Sequence, residues 1–85
     1  MPEMEIGFVT HYFGHIGVAA IQLTAGELKV GDQLRIKGHS SDFLTAVESI
    51  QVQHQAVAVA RPGDNVGIKV AGHAREHDKV YKLVP

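Results

Sequence analysis

Short apolar runs separated by glycine and polar residues dominate the chain. Along Ile6–Tyr12 the alternation assigns Ile6, Phe8, Thr10 and Tyr12 to one face and Gly7, Val9 and His11 to the other. Phe13-Gly14-His15 reads as a turn. The run Ile16–Leu23 is apolar at nearly every position, as in a strand covered on both faces. Thr24–Asp32 is a loop, with Leu28 and Val30 expected to tuck beneath it as plugs. Gln33–Lys37 alternates cleanly and turns Leu34 and Ile36 inward and Gln33, Arg35 and Lys37 outward. After a loop over Gly38–Asp42, Phe43–Gln53 reads as one long strand. Val47 and Ile50 both have core character at an odd separation, which a β-bulge at Glu48-Ser49 would reconcile. Ala56–Ala60 is compatible with helix or strand. Pro62-Gly63-Asp64-Asn65 is a turn, Val66–Val70 alternates again with Val66, Ile68 and Val70 inward, and Val80–Val84 is the last strand. Six or seven short strands without room for a long helix predict an all-β fold, a small closed antiparallel barrel, with no internal repeat.

Composition narrows this picture. The 85 residues suit a single domain spanning 1–85, and 45% hydrophobic with 20% charged residues fits a globular core. Cysteine is absent, so no disulfide, thiolate metal site or cysteine nucleophile is available. Eight basic and nine acidic residues give a formal net charge of -1, without the basic excess of an overt nucleic-acid binder. The acidic start Met1-Pro2-Glu3-Met4-Glu5 lacks the basic region of a signal peptide, and no apolar run approaches a membrane span of roughly 20 residues, which predicts a cytoplasmic protein without membrane contact.

Three segments carry a resemblance: Gly26-Glu27-Leu28-Lys29-Val30-Gly31-Asp32-Gln33-Leu34, Thr45-Ala46-Val47-Glu48-Ser49-Ile50, and Ala60-Arg61-Pro62-Gly63-Asp64-Asn65-Val66-Gly67-Ile68. In order and spacing they resemble domain 2 of elongation factor Tu and the other translational GTPases. The chain as a whole looks most like the small stand-alone, elongation-factor-like proteins of that barrel type. The resemblance implies a six-stranded closed β-barrel. It does not carry GTP hydrolysis, which resides in another domain of those factors; the phosphate-cradling Gly-x-x-x-x-Gly-Lys-Ser/Thr loop does not occur here, and no GTP binding is expected. Glu48 matches a glutamate that in the tRNA-delivering factors lines a pocket for the terminal adenosine. Gln51 stands where the family has an arginine, Gly14-His15-Ile16-Gly17 keeps only part of a glycine-rich approach, and Ile21 replaces a later glycine. Aminoacyl-tRNA binding is therefore not carried over, and Glu48 reads as a solvated residue at a bulge.

Candidate chemistry is sparse. His11 and His15, and His73 and His77, are each spaced by four, a zinc-like interval on a helix, but neither pair falls on one, and no metal or other cofactor is assigned. His39, Ser40 and Ser41 are neighbours in a polar loop, and Glu76 and Asp78 lie in a charged turn; neither group forms a catalytic constellation. The most distinctive surface feature is a basic stripe. Arg35 and Lys37 share the outward face of one strand, His39 continues it, Lys69 lies outward on another, and Phe43 offers a nearby aromatic ring. These residues form the candidate nucleic-acid-binding set. The reading is a non-catalytic binding module associated with translation or RNA, with RNA or a ribosome-associated protein as partner. The alternative is a protein-interaction module docking through an apolar patch around Tyr12, Phe13 and Phe43. An enzyme ranks last.

Overall fold

The computed structural model describes residues 2–84. Ten strand segments follow one another: β1 (Glu3–Phe13), β2 (Val18–Leu23), β3 (Leu28–Lys29), β4 (Gln33–Lys37), β5 (Asp42–Ala46), β6 (Ile50–Val52), β7 (Gln55–Val57), β8 (Val59–Ala60), β9 (Asn65–Lys69) and β10 (Lys79–Leu83). Eight of them form one antiparallel sheet in the order β5-β4-β10-β1-β2-β9-β6-β7, and β3 and β8 pair as a separate ribbon. There is no helix among the described residues. The fold is all-β, as the alternation predicts.

The strand count differs from the expected six or seven, for identifiable reasons. Phe43–Gln53 is not one bulged strand. It breaks at 47–49, because β5 pairs with β4 whereas β6 pairs with β9 and β7. Val47 spans the break: its N–H donates to the Asp32 carbonyl (2.9 Å) and its carbonyl accepts from the Gly31 N–H (2.8 Å). Ala56–Ala60 is extended and divided between β7 and β8. The pairing order begins at β5 and ends at β7, so the sheet ladder is not the closed ring that was expected. The sheet nevertheless curls. Thr45 Oγ1 on β5 accepts from the Ala71 N–H just beyond β9 (3.0 Å), and Ser41 Oγ donates to the His73 carbonyl (3.3 Å).

β1 organises the core. Its register shifts between Glu5 and Gly7 against β10, and between Val9 and His11 against β2. These irregularities let Ile6 and Val9, three residues apart, both bury fully, which the simple alternation did not allow. Phe8 consequently faces outward, paired across the sheet with Lys79 and Gln22. Gly7 is required by close approach: a Cβ there would strike the backbone carbonyl of Gln22 on β2. The core then fills with Ile21, Leu23, Leu34, Ile36, Val47, Ile50, Val66, Ile68 and Val80, with Leu28 and Ala60 of the small ribbon sealing one end. Leu28 is the plug expected of the long loop, but Val30 is not, being 46% exposed.

Three turns share one construction. In Lys29–Asp32, Arg61–Asp64 and Arg75–Asp78 the final aspartate Oδ2 accepts from the N–H of the first residue (2.8, 3.0 and 3.0 Å). In each, the aspartate N–H also donates to the first residue's carbonyl (3.1, 3.0 and 3.2 Å). The third residue adopts positive φ in all three: Gly31, Gly63 and His77. This is a repeat of local geometry in a chain whose sequence shows no internal repeat. At the other extreme of sequence separation, the Val84 N–H donates to the Pro2 carbonyl (3.0 Å), so β1 and β10 hold the two ends of the described chain together.

Candidate functional site

A groove of about 430 Å³ opens on the outer face of β2, β9 and β6. Its floor is made of small residues, because Ala20 and Gly67 lie opposite each other across β2 and β9, with Gln51 next in line on β6. Phe13, Ile16 and Val18 form one wall; Gln51, Gln53 and His54 form the other, and Asn65 stands at one end. The apolar wall comes from the β1–β2 hairpin. The Phe13 carbonyl accepts from the N–H groups of Ile16 (3.2 Å) and Gly17 (2.9 Å), and Gly17 takes positive φ to bring the chain back. This four-residue loop leaves Ile16 63% exposed, while Phe13 is braced edge-on by the His11 ring at 4.5 Å. Exposed apolar side chains of this size beside a small-residue floor are unusual on a water-facing sheet.

Among the described residues the polar wall carries no carboxylate, ammonium or guanidinium group, and no aspartate, glutamate, lysine or arginine lines the groove; its polar groups are the carboxamides of Gln51, Gln53 and Asn65 and the His54 imidazole. Asn65 Nδ2 donates to Gln22 Oε1 (3.3 Å), which ties that end down. Gln51, Gln53 and His54 are exposed. The groove therefore offers apolar contact and uncharged hydrogen-bonding groups together, which suits a ligand rich in amides rather than one carrying phosphate.

The predicted cationic set lies outside the groove, and its members are engaged differently. Arg35 reaches over β10 to Glu3, with Nη1 2.9 Å from Oε2. Its Nε lies 3.1 Å from Asp42 Oδ1, off the line of a hydrogen bond, so that contact is Coulombic. Lys37 sits between Lys79 of β10 and Asp42 of β5. His39 is exposed in the β4–β5 loop. Lys69 is on β9 and shares a second cleft with Leu44 and Glu48; Leu44 on β5 pairs with Arg35, so across the curl of the sheet β5 lies between Lys69 and β4. Phe43 is half-buried against the core, and its ring lies over Gly72, where a Cβ would meet the ring at 2.8 Å. The apolar patch proposed from sequence is divided. Phe13 is in the groove, Phe43 is turned inward, and Tyr12 packs on the His73 ring at 4.6 Å in a third cleft. The histidine pairs make no group of three or more metal-binding side chains among the described residues. Sequence reasoning missed the groove because its floor is recognisable only once Ala20, Gly67 and Gln51 are in register. The signal within reach was Ile16, an apolar residue in the short loop bounded by Gly14 and Gly17.

The family model for elongation factor Tu domain 2 matches residues 17–80. The chain belongs to the elongation factor Tu domain 2 family. An uncharacterized protease of Methanocaldococcus jannaschii is 37% identical over 82 residues, 95% of this chain and 20% of the relative. A collagenase of Porphyromonas gingivalis is 33% identical over 82 residues, again 95% of this chain and 20% of the relative. The chain thus spans about a fifth of the length of these curated relatives. Among solved structures, the C-terminal domain of a putative U32 peptidase from Geobacillus thermoleovorans superposes with a TM-score of 0.88 at 23% identity, covering 95% of this chain and 93% of that one. Translation elongation factor SelB from Methanococcus maripaludis superposes at 0.67, also at 23% identity, covering 95% of this chain and 19% of that one. These superpositions bear out an all-β, antiparallel fold of the elongation factor Tu domain 2 type, without the closed six-stranded ring that the resemblance implied. The association with translation or RNA drawn from the resemblance is corrected: although an elongation factor 1-alpha of Pyrobaculum aerophilum is 34% identical over 79 residues, 93% of this chain, a protease and a collagenase match 95% of it, and the structure matched end to end is a peptidase domain. A fold shared by both groups does not by itself report a pathway.

Proposed function

We propose that this domain is a non-catalytic polypeptide-binding module of the peptidase-associated branch of its family, which holds an extended substrate segment in the groove bounded by Phe13, Ile16 and the Gln53-His54 turn. The observation that carries this reading is the groove's chemistry: an apolar wall and a small-residue floor facing neutral carboxamides. An extended polypeptide presents that pattern, apolar side chains alternating with main-chain amides. The end-to-end likeness to a peptidase C-terminal domain supports the assignment of polypeptide as the ligand class. A non-catalytic role is supported by the use of the buried polar groups. Ser41, Thr45 and Asp78 are each spent on a backbone hydrogen bond that holds a loop. The same reading treats the curled sheet as a barrel whose seam, between β5 and the segment after β9, is closed by side-chain contacts such as Thr45 to Ala71.

Fluorescence anisotropy with fluorescein-labelled gelatin and labelled casein tests it. We expect binding of at least one of these polypeptides and a loss of tenfold or more in Ile16→Glu, which puts a charge on the apolar wall at a residue too exposed to affect folding. Equal binding by Ile16→Glu, or binding of a labelled RNA oligonucleotide with neither polypeptide bound, overturns the reading.

A further inference from the structure

The β6–β7 hairpin closes with Val52 opposite Gln55, which leaves Gln53 and His54 as a two-residue turn. Both take positive φ, 52° and 66°. That is the conformation of a type I′ turn, which favours Asn-Gly because other side chains crowd their own backbone at positive φ. Gln is a poor choice for it, and His is tolerated at positive φ but is not the favoured residue. Nothing in the core compensates, since both residues are exposed. An unfavourable backbone that packing does not require points to a role for the side chains themselves. Both of those side chains line the groove, across from Phe13 and Ile16.

We infer that the Gln53-His54 turn is the specificity-determining element of the groove: a strained but rigid hairpin tip whose carboxamide and imidazole hydrogen-bond the main-chain amides of an extended, uncharged polypeptide segment, while its apolar side chain seats on Ala20 and Gly67. The inference rests on the groove reading above and adds the residues that choose the ligand. Absence of charge along the groove selects against acidic or strongly basic segments, because a charged side chain placed there would be partly desolvated without a partner. The tight turn fixes the backbone from which both side chains project, so less main-chain freedom is lost on binding.

The test replaces the turn with its favoured sequence. Gln53→Asn/His54→Gly removes the strain and both proposed hydrogen-bonding groups, and Gln53→Ala removes one group while keeping the native backbone demand. Against the same labelled gelatin and casein, the double variant is expected to melt at a higher temperature than wild type yet bind at least tenfold more weakly, and Gln53→Ala to bind at least threefold more weakly. A double variant that is more stable and binds as wild type does overturns the inference while leaving the groove reading intact, because Ile16→Glu still reports on the apolar wall. A double variant that is less stable than wild type also overturns it, since the native turn would then be serving the fold.

Discussion

Two glycines on paired faces of the sheet show how differently the same residue type is used. At Gly7 a Cβ would collide with the backbone of Gln22, an obstacle that cannot rotate away. At Gly67 the same atom would rest 3.6 Å from Val18 Cγ1, an ordinary contact. Gly7→Ala should therefore destabilise the protein by on the order of 2–3 kcal/mol, the upper range for an inserted methyl group. Gly67→Ala should change stability by no more than about 0.5 kcal/mol, since an alanine in a strand gives up less backbone freedom on folding. Urea titrations of the two variants check this, and a Gly7→Ala midpoint equal to wild type would show that β1 and β2 can separate locally. Arg35 makes a related point about surface charge. Its pairing with Glu3 and Asp42 on a partly exposed face adds little, about 1 kcal/mol at most, but it occupies the guanidinium that the sequence offered as a free cation.

At the scale of the element, the three aspartate-closed turns set the corners of the fold, and one of them departs from the other two. His77 holds positive φ (74°) where Gly31 and Gly63 stand in the equivalent turns. A non-glycine residue pays about 1–2 kcal/mol there, while glycine costs about 0.5–1 kcal/mol in chain entropy. His77→Gly should accordingly raise stability by about 0.5–1 kcal/mol, read as a shift of the denaturation midpoint without a change in its slope. These turns also explain what was legible in the sequence. Gly31-Asp32 and Pro62-Gly63-Asp64 announce their geometry because glycine and aspartate are the residues that such turns demand. Glu76-His77-Asp78 uses the same geometry with a residue that does not advertise it. Leu34, Ile36, Val47, Ile50, Val66 and Ile68, all inward by sequence pattern, are all buried to 1% exposure or less. Ile6 and Val9 were not legible as a pair, since period-two reasoning has no means of locating register shifts that arise between strands. The groove was hidden for the same reason: its two walls come from a hairpin loop and a turn separated by more than thirty residues, and only pairing brings them to one face.

For the molecule as a whole, no helix is long and apolar enough to cross a membrane among the described residues, and the functional argument rests on one face of a curled sheet. The hydrogen bond from Val84 to Pro2 has a consequence of its own. The chain enters and leaves at one point, on adjacent central strands rather than at the sheet's edges. Such a unit is topologically a loop, and its covalent break can be moved. Joining residue 84 to residue 2 through a few glycines and reopening the chain in the exposed loop at His39-Ser40 should give a circular permutant that folds with the native far-ultraviolet spectrum and keeps most of its stability. A permutant that fails to fold would show that the β4–β5 hairpin must stay covalently continuous for the chain to fold. One that folds would mean that a host protein can carry this domain at an end or spliced into its middle, with the groove presented the same way in either setting.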